Sequence, residues 1–373
     1  GKSVAIVENR FLVGGGCTHL GTIPSKALIH VVQQYAEDKK HRLFNRGRHP
    51  GRVTRDDIMD AITNVVEQQV RDREDFYERN HIVIVAGQAR FTDPHSIEVR
   101  DDAGNLRQLT ADHFVIASGS HPYHPEDVPF DDSRVVDSDT ILKMKELPGT
   151  LTVYGAGVIG CEYASAFKNI GIKVNLVNTR ERLLDYLDDE ISSALSYYMR
   201  DEQGVLIRQN EEYERVEVND NGVVLHLKTG KLIKSEMLLW ANGRTGNSAA
   251  MGLEALGIEP DHRGNIAVNE TYQTVQPHIY AVGDVAGPPA FRSDAPPVRT
   301  PPVPVSRRRG GRGLDADVAR DPVRRCRRDP AVGPDQHRRG DLPRGDGAGA
   351  DVPRGVAGVL RDRDHRAGEG RLD

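Results

Sequence analysis

Apolar residues follow two alternating patterns over residues 1–286, short β-like runs and longer stretches with helical spacing. A short strand is predicted at residues 3–8, and a helix follows the Gly-rich loop at residues 14–24. A second helix is predicted at residues 55–79, because its apolar side chains recur on one face, namely Ile58, Ile62, Val65, Val66 and Val70.

The next stretch changes to a β pattern. Residues 81–100 alternate apolar and polar positions, and residues 102–105 predict a hairpin turn. A buried strand at residues 114–117 ends in Ser118-Gly119-Ser120, where the backbone can approach a ligand closely because Gly119 has no side chain.

A complete βαβ unit begins at Leu151. The strand at residues 151–154 enters Gly155-Ala156-Gly157-Val158-Ile159-Gly160, a helix continues to about residue 170, and a strand follows at residues 173–177. Gly155, Gly157 and Gly160 permit a tight turn on which the helix N-terminus can bind a pyrophosphate. Further strands are predicted near residues 205–208, 222–228 and 236–241.

The residues after the second strand of this unit indicate which dinucleotide binds. A site selective for NAD places a carboxylate there, whereas this chain has Asn178 and then Arg180. A guanidinium suits a ribose 2′-phosphate, so the pattern favours NADPH and leaves NAD open. The alternative is that Arg180 and Arg182 are only solvated charged residues.

The strand at residues 3–8 ends in Glu8, as the second strand of a dinucleotide fold does when its carboxylate binds a ribose. An ordinary carboxylate at a strand end is the alternative. The first strand and its glycine turn would lie about 20 residues earlier, which suggests an N-terminally incomplete first unit.

The predicted fold is therefore α/β, with two Rossmann-like dinucleotide-binding domains and a disordered C-terminal tail. The predicted ranges are an N-terminally truncated first dinucleotide-binding domain (1–148), an NAD(P) domain (149–270), a return to the first domain (271–286) and the tail (287–373).

The tail differs sharply in composition from the rest. Residues 1–286 carry 31 Lys and Arg against 42 Asp and Glu, whereas residues 287–373 carry 19 Arg, no Lys and 13 acidic residues. The tail has too few apolar residues to offset its ordering entropy, which predicts disorder. A shift of reading frame in a GC-rich gene is the favoured explanation, and an Arg-rich nucleic-acid arm or a natural linker-like tail are the alternatives.

Composition also limits the partners. The acidic body predicts no nucleic-acid partner, and no apolar run approaches the roughly 20 residues of a membrane span. Cys17, Cys161 and Cys326 have neither metal-ligand nor disulfide-framework spacing, so no metal site is predicted. The default compartment is the cytoplasm.

The loop at residues 14–28, Gly-Gly-Gly-Cys-Thr-His-Leu-Gly-Thr-Ile-Pro-Ser-Lys-Ala-Leu, resembles the active-site region of the two-dinucleotide flavoprotein disulfide reductases, the class I pyridine nucleotide-disulfide oxidoreductases. Residues 176–184, 241–247 and 272–284 extend the resemblance, which covers residues 1 to about 286. In such a loop two cysteines lie five positions apart, and here Cys17 is followed by Thr22. This altered form resembles the transhydrogenase branch of the family.

The resemblance implies two nucleotide sites and an exchange of electrons between them. Lys26 would lie near the flavin, paired with Glu162. FAD would be bound by Glu8, Gly14, Gly15, Gly16, Cys17, Lys26, Gly119 and Asp284. The nicotinamide nucleotide would be bound by Gly155, Gly157, Gly160, Arg180 and Gly243.

The implied activity is an FAD-dependent transhydrogenase that passes a hydride from NADPH to NAD without a redox-active disulfide. A dihydrolipoamide dehydrogenase-like disulfide reductase and an inactive nucleotide-binding fragment are the alternatives. The family forms homo-oligomers through a C-terminal interface domain, and no part of this sequence resembles that domain. Cys17, Cys161 and His19 are interpreted as structural residues, with Cys161 facing the core.

Overall fold

The computed structural model describes residues 3–10, 12–40 and 54–287. The predicted tail, residues 287–373, lies outside the described residues except for Gly287. The first elements in chain order are β1 (Ala5–Glu8), α1 (Gly15–His19), α2 (Thr22–Lys40), α3 (Arg55–Arg79), β2 (Val83–Ala86), β3 (Gln88–Asp93), β4 (Ser96–Arg100), β5 (Leu106–Thr110), β6 (Phe114–Ile116), β7 (Ser120–Pro122) and β8 (Val135–Asp137).

The remaining elements include the predicted βαβ unit. They are β9 (Thr150–Tyr154), α4 (Val158–Asn169), β10 (Lys173–Val177), α5 (Asp189–Tyr197), β11 (Leu206–Arg208), β12 (Tyr213–Asn219), β13 (Gly222–Leu227), β14 (Leu232–Ser235), β15 (Met237–Trp240), β16 (Arg244–Gly246) and β17 (Ile279–Ala281). Short 3₁₀ turns cover Ile141–Lys143, Leu253–Leu256 and Gly283–Ala286, and a π-helical turn, Tyr198–Glu202, extends α5.

A five-stranded parallel sheet in the order β11-β10-β9-β15-β8 forms the centre of the second half of the described chain, with its strands between residues 135 and 240. Leu176 on β10 and Leu239 on β15 both pair with Val153 on β9, and all three side chains are fully buried. Parallel sheets are covered on both faces, which explains why all four residues of β15 are apolar and buried, and why even Thr152 on β9 is fully buried.

Helix α4 covers this sheet with a buried face that includes Ala164 and Phe167. The same apolar cluster continues into α2 through Leu28 and Val32 and into α3 through Ile58. A single core therefore joins the helices of the first half to the sheet of the second.

Three small sheets complete the first half. β1 pairs with β2 and β17 with β6, both in parallel, and β3, β4 and β5 form an antiparallel meander. A second apolar cluster, which includes Phe91, Val99, Ile116 and Ile279, lies among these strands. Strand β17 thus returns the chain to the first half, as the sequence pattern predicts.

Two strand pairs cross the predicted domain boundaries, which stay a prediction. β8 lies before residue 149, yet its residues pair with β15 in the five-stranded sheet. β16 lies before residue 271, yet it pairs with β7. The strands of the second sheet therefore lie between Val135 and Trp240. A short strand in a nonlocal pairing leaves little periodic signal in the sequence.

The sheet core makes a direct prediction for stability. Leu176→Ala removes a fully buried side chain from a central strand and should lower the free energy of unfolding by about 3 kcal/mol. Leu206→Ala on the neighbouring strand β11 is the matched control, because Leu206 is 59% exposed and its loss should change that free energy by less than about 1 kcal/mol. Urea unfolding followed by the fluorescence of Trp240, the single tryptophan, measures both. Equal losses would contradict the burial described above.

Candidate functional site

The glycine turn between β9 and α4 has the geometry that a pyrophosphate site needs. A Cβ on Gly160 would lie 1.8 Å from the carbonyl oxygen of Gly155, so only glycine permits the close approach of helix and strand. Gly157 precedes α4 without a side-chain cap, and a Cβ on it would meet nothing within 4 Å. The first N–H groups of α4 therefore face open space and can bind an anion.

The loop after β10 is shaped by Asn178. Its side chain is buried, accepts a hydrogen bond from the backbone N–H of Arg180 at 3.3 Å and donates to the carbonyl oxygen of Arg182 at 2.8 Å. Asn178, which stands where an NAD-selective site has a carboxylate, thus stabilises the loop at residues 178–182 through its own side chain. Sequence reasoning noted the missing carboxylate but did not predict this role.

Both arginines of this loop are exposed and paired. Arg180 contacts both carboxylate oxygens of Asp185 through Nη1, and Arg182 contacts Asp189. The Arg180 side chain is 65% exposed, which leaves it accessible to a ligand at the carboxyl end of β10. Arg180 therefore follows β10, the strand that pairs with β9 before the glycine turn. Its contact with Asp185 was not predicted from the sequence.

The Gly-rich loop at residues 14–22 is partly helical. Gly14 has a φ of 118°, and a Cβ on it would lie 2.6 Å from Oγ1 of Thr18, so a larger residue would clash there. Gly15 and Gly16 face open space, where an added Cβ would meet nothing within 4 Å. His19 donates from Nε2 to the carbonyl oxygen of Val13 at 2.9 Å, as expected for a structural histidine.

The two cysteines in the described residues differ in environment. Cys17 lies on α1 and is exposed, whereas Cys161 is buried on α4 with its Sγ 3.4 Å from the carbonyl oxygen of Ala156. Burial, with a smaller contribution from the charge of Glu162, raises the pKa of Cys161 to about 12. Cys161 therefore faces the core, as the sequence predicts, and Cys326 lies outside the described residues.

Lys26 and Glu162 form a close ion pair. Nζ of Lys26 on α2 lies 2.6 and 2.7 Å from the two carboxylate oxygens of Glu162 on α4. The side chains are 53% and 29% exposed, so the pair borders open space beside the buried core. The structure thus brings together two residues that are 136 positions apart and that the sequence analysis paired.

A polar network places Asp284 beside Gly119. Ser120 Oγ donates to the Asp284 carboxylate at 2.8 Å, and Arg244 Nε donates to the same Ser120 oxygen at 2.7 Å. Gly119 has a φ of 71°, and an added Cβ there would meet nothing within 4 Å. Ser120 and Arg244 support this site, and sequence reasoning missed both as site residues; their position in the Ser118–Ser120 and 241–247 segments was the available signal.

Two further predicted residues lie at the ends of strands. Glu8 ends β1 and accepts a hydrogen bond from the backbone N–H of Arg10 at 3.1 Å. Gly243 has a φ of 100°, and the guanidinium of its neighbour Arg263 stacks over Tyr123 at 4.3 Å.

The predicted residues therefore form two groups. One group lies at the carboxyl end of the parallel sheet and consists of Gly155, Gly157, Gly160 and Arg180. The other lies where β6 and β17 end and consists of Gly119 and Asp284. Glu8 ends β1, which belongs to a different two-stranded sheet. Among the residues that the structure describes, no cluster of His, Cys, Asp and Glu could hold a metal ion, and no helix is long and apolar enough to cross a membrane.

Known proteins resemble this chain over most of its length. The family model for pyridine nucleotide-disulphide oxidoreductases matches residues 1–309. The soluble pyridine nucleotide transhydrogenases of Shigella flexneri and of Escherichia coli (strain K12 / DH10B) are each 51% identical over 295 residues, which is 79% of this chain. The match covers 63% of each of these relatives.

Solved structures agree with the fold. RclA, a flavoprotein disulfide reductase from Escherichia coli, is 29% identical with a TM-score of 0.66 and matches 78% of this chain and 62% of its own. LpdA from Mycobacterium tuberculosis has a TM-score of 0.70 at 23% identity over 76% of this chain and 62% of its own, which supports the fold alone. The predicted α/β fold with Rossmann-type dinucleotide-binding domains is confirmed, and the chain belongs to the pyridine nucleotide-disulphide oxidoreductase family.

Proposed function

We propose that the protein is an FAD-dependent transhydrogenase that passes a hydride from NADPH to NAD without a redox-active disulfide. The reaction balances as NADPH plus NAD⁺ giving NADP⁺ plus NADH. The single observation that carries the proposal is that only one of the two cysteine positions in the loop holds a thiol. Cys17 is present, but Thr22 occupies the second position, and disulfide chemistry needs two thiols. The transhydrogenases that are 51% identical support the same activity.

The environment of the cysteines supports a route without a dithiol. A disulfide requires two Cβ atoms about 3.8 Å apart and an accessible thiolate. Cys161 is the other cysteine in the described part of the chain, and it is buried with a raised pKa. It is therefore an unsuitable partner for the exposed Cys17.

The nicotinamide nucleotide would bind at the glycine turn and the loop after β10. The open N–H groups at the start of α4 suit the pyrophosphate, and Gly155, Gly157 and Gly160 permit its approach. The Arg180 guanidinium suits a ribose 2′-phosphate. Gly243 would line the same site.

The residues at the ends of β1 and β6 fit a bound flavin nucleotide. Gly15, Gly16 and Gly119 leave open space for close backbone approach. The carboxylate of Asp284, held by Ser120, is an acceptor for ligand hydroxyls, and Glu8 would accept from a ribose in the same way. Bound FAD would supply two-electron chemistry, accepting a hydride from one nicotinamide and releasing it to another.

The Lys26–Glu162 pair would act electrostatically. An ammonium group beside the flavin offsets the negative charge that reduction adds, and Glu162 holds that ammonium through two contacts. The chain itself thus contributes orientation and charge, while the electron carrier contributes the redox chemistry.

A cytoplasmic location agrees with relatives that are named as soluble enzymes.

A disulfide reductase is the second candidate, because RclA carries that description and is 29% identical. It requires a second thiol that can pair with Cys17, and Thr22 occupies the position where the family loop has one. The two candidates therefore differ in the electron acceptor.

The acceptor can be measured directly. The purified chain should show the absorbance of bound oxidised flavin and should pass electrons from NADPH to the thio-analogue of NAD. Lipoamide and glutathione disulfide should be reduced at rates at least about a hundredfold lower, because the loop has no dithiol. Faster reduction of either disulfide would favour the reductase, and absence of bound flavin would favour a fragment that only binds nucleotides.

Thiol reactivity tests the cysteine environments. At pH 8 only about one Cys161 side chain in ten thousand is a thiolate, since burial raises its pKa to about 12. Iodoacetamide should therefore label Cys17 in the native chain and leave Cys161 unlabelled until urea is added. Peptide mapping by mass spectrometry separates both from Cys326. Equal labelling of Cys17 and Cys161 without urea would contradict the buried position.

Removal of the ammonium group tests its electrostatic role. Lys26→Met should lower kcat for transfer from NADPH to thio-NAD on the order of tenfold to a hundredfold, because a charge placed at the reacting ring is lost. Lys228→Met is the matched control, since Lys228 forms an exposed 2.6 Å ion pair with Glu212 outside both sites. Equal rates for Lys26→Met and the wild type would remove Lys26 from the proposed site.

A further inference from the structure

The pairing of Arg180 with Asp185 has a consequence for nucleotide selection. Nη1 of Arg180 contacts both oxygens of Asp185, whereas its Nε and Nη2 have no hydrogen-bond partner within the described ranges. Asn178 fixes the backbone of the same loop through its contacts with residues 180 and 182. The Nε and Nη2 edge of the guanidinium is therefore open to a ligand, while the Asp185 carboxylate at Nη1 already offsets its positive charge.

The surrounding charge is negative. Between residues 178 and 190 the chain carries two arginines against five acidic residues, which are Glu181, Asp185, Asp188, Asp189 and Glu190. A phosphate that approaches the open edge of Arg180 would meet the Asp185 carboxylate on the opposite edge. Two anions that share one guanidinium repel each other, so the carboxylate weakens the attraction for the phosphate.

We propose that Asp185 determines the balance between the two nicotinamide nucleotides, by acting as an internal counter-ion for Arg180 in place of the ribose 2′-phosphate. With NAD bound, Arg180 keeps its partner and no cation is left unpaired. With NADP(H) bound, the 2′-phosphate takes the open edge and competes with Asp185. This inference rests on the proposed function, because it assigns Arg180 to the ribose of the nicotinamide nucleotide.

A substitution of Asp185 distinguishes a competing counter-ion from a residue that only orients Arg180. Asp185→Asn keeps an oxygen that can accept from Arg180 Nη1 and removes the negative charge. If Asp185 competes with the 2′-phosphate for Arg180, the Asp185→Asn variant should bind the 2′-phosphate more tightly. A residue that only positions Arg180 gives unchanged or weaker binding.

The test uses two probes that need neither flavin nor turnover, adenosine 2′,5′-bisphosphate and adenosine 5′-monophosphate, titrated calorimetrically into the full chain. Asp185→Asn should tighten binding of the bisphosphate by about threefold to tenfold and change binding of the monophosphate by less than about twofold. The gain should shrink as the ionic strength rises from roughly 0.01 M to 0.15 M, because salt screens exposed charges.

Asp189→Asn is the matched control. Asp189 pairs with Arg182 in the same exposed manner, and Arg182 lines a cleft with Ser192, Ser196 and Arg200. The control should change both affinities by less than about twofold at roughly 0.15 M ionic strength, because Asp189 does not contact Arg180 and salt screens its charge. An equal gain in both variants would overturn the inference in favour of a general charge effect. Thermal unfolding checks that each variant is folded.

Arg180→Gln separates failure of the inference from failure of the proposed function. If Arg180→Gln weakens bisphosphate binding and Asp185→Asn does not strengthen it, the nucleotide assignment stands and the role of Asp185 is wrong. If Arg180→Gln changes nothing, or if the wild-type chain binds neither probe, the assignment of Arg180 fails and the inference fails with it.

Discussion

The packing of helix α4 between the parallel sheet and helix α2 is the constraint on which the glycine turn and the Lys26–Glu162 pair both depend. Its inner face buries Ala164 and Phe167 in the core that Leu28 of α2 also enters. The first turn of the helix follows Gly157 and has no side-chain cap, which leaves its N–H groups available to an anion. One turn further on, Glu162 reaches Lys26. A shift of α4 would therefore disturb the glycine turn and the ion pair together.

Local periodicity predicted the elements that define this constraint. The predicted strand at residues 173–177 and the predicted helix at residues 55–79 match β10 and α3 in the structure. Both are bounded by clear local signals, such as the capping box of Thr54 and Asp57 that begins α3. Strands β12 and β14 were not predicted, because half-exposed positions in a meander give a weak alternating pattern.

Nonlocal contacts could not be predicted from spacing. The contact of Ser120 with Asp284 joins residues 164 positions apart, and its contact with Arg244 spans 124. The pairing of β8 with β15 across the predicted boundary at residue 149 is of the same kind. The Lys26–Glu162 pair was predicted only because the resemblance to a known family supplied it. Loop conformation is equally hidden, since nothing in the sequence indicates that Asp185 rather than a ligand meets Arg180.

The missing thiol and the paired arginine are connected by the proposed reaction. In that proposed reaction, electrons delivered by one nicotinamide would leave to another, so both nucleotides would use the turn at Gly155, Gly157 and Gly160. The pyrophosphate and the N–H groups of α4 contribute equally to the binding of both and cannot discriminate between them. Only the loop after β10 meets the group in which they differ. An unpaired Arg180 would favour the phosphorylated nucleotide and slow its exchange, whereas an Arg180 paired with Asp185 narrows that difference in affinity. A weaker preference at the ribose is therefore what a site needs when two substrates must follow each other through it.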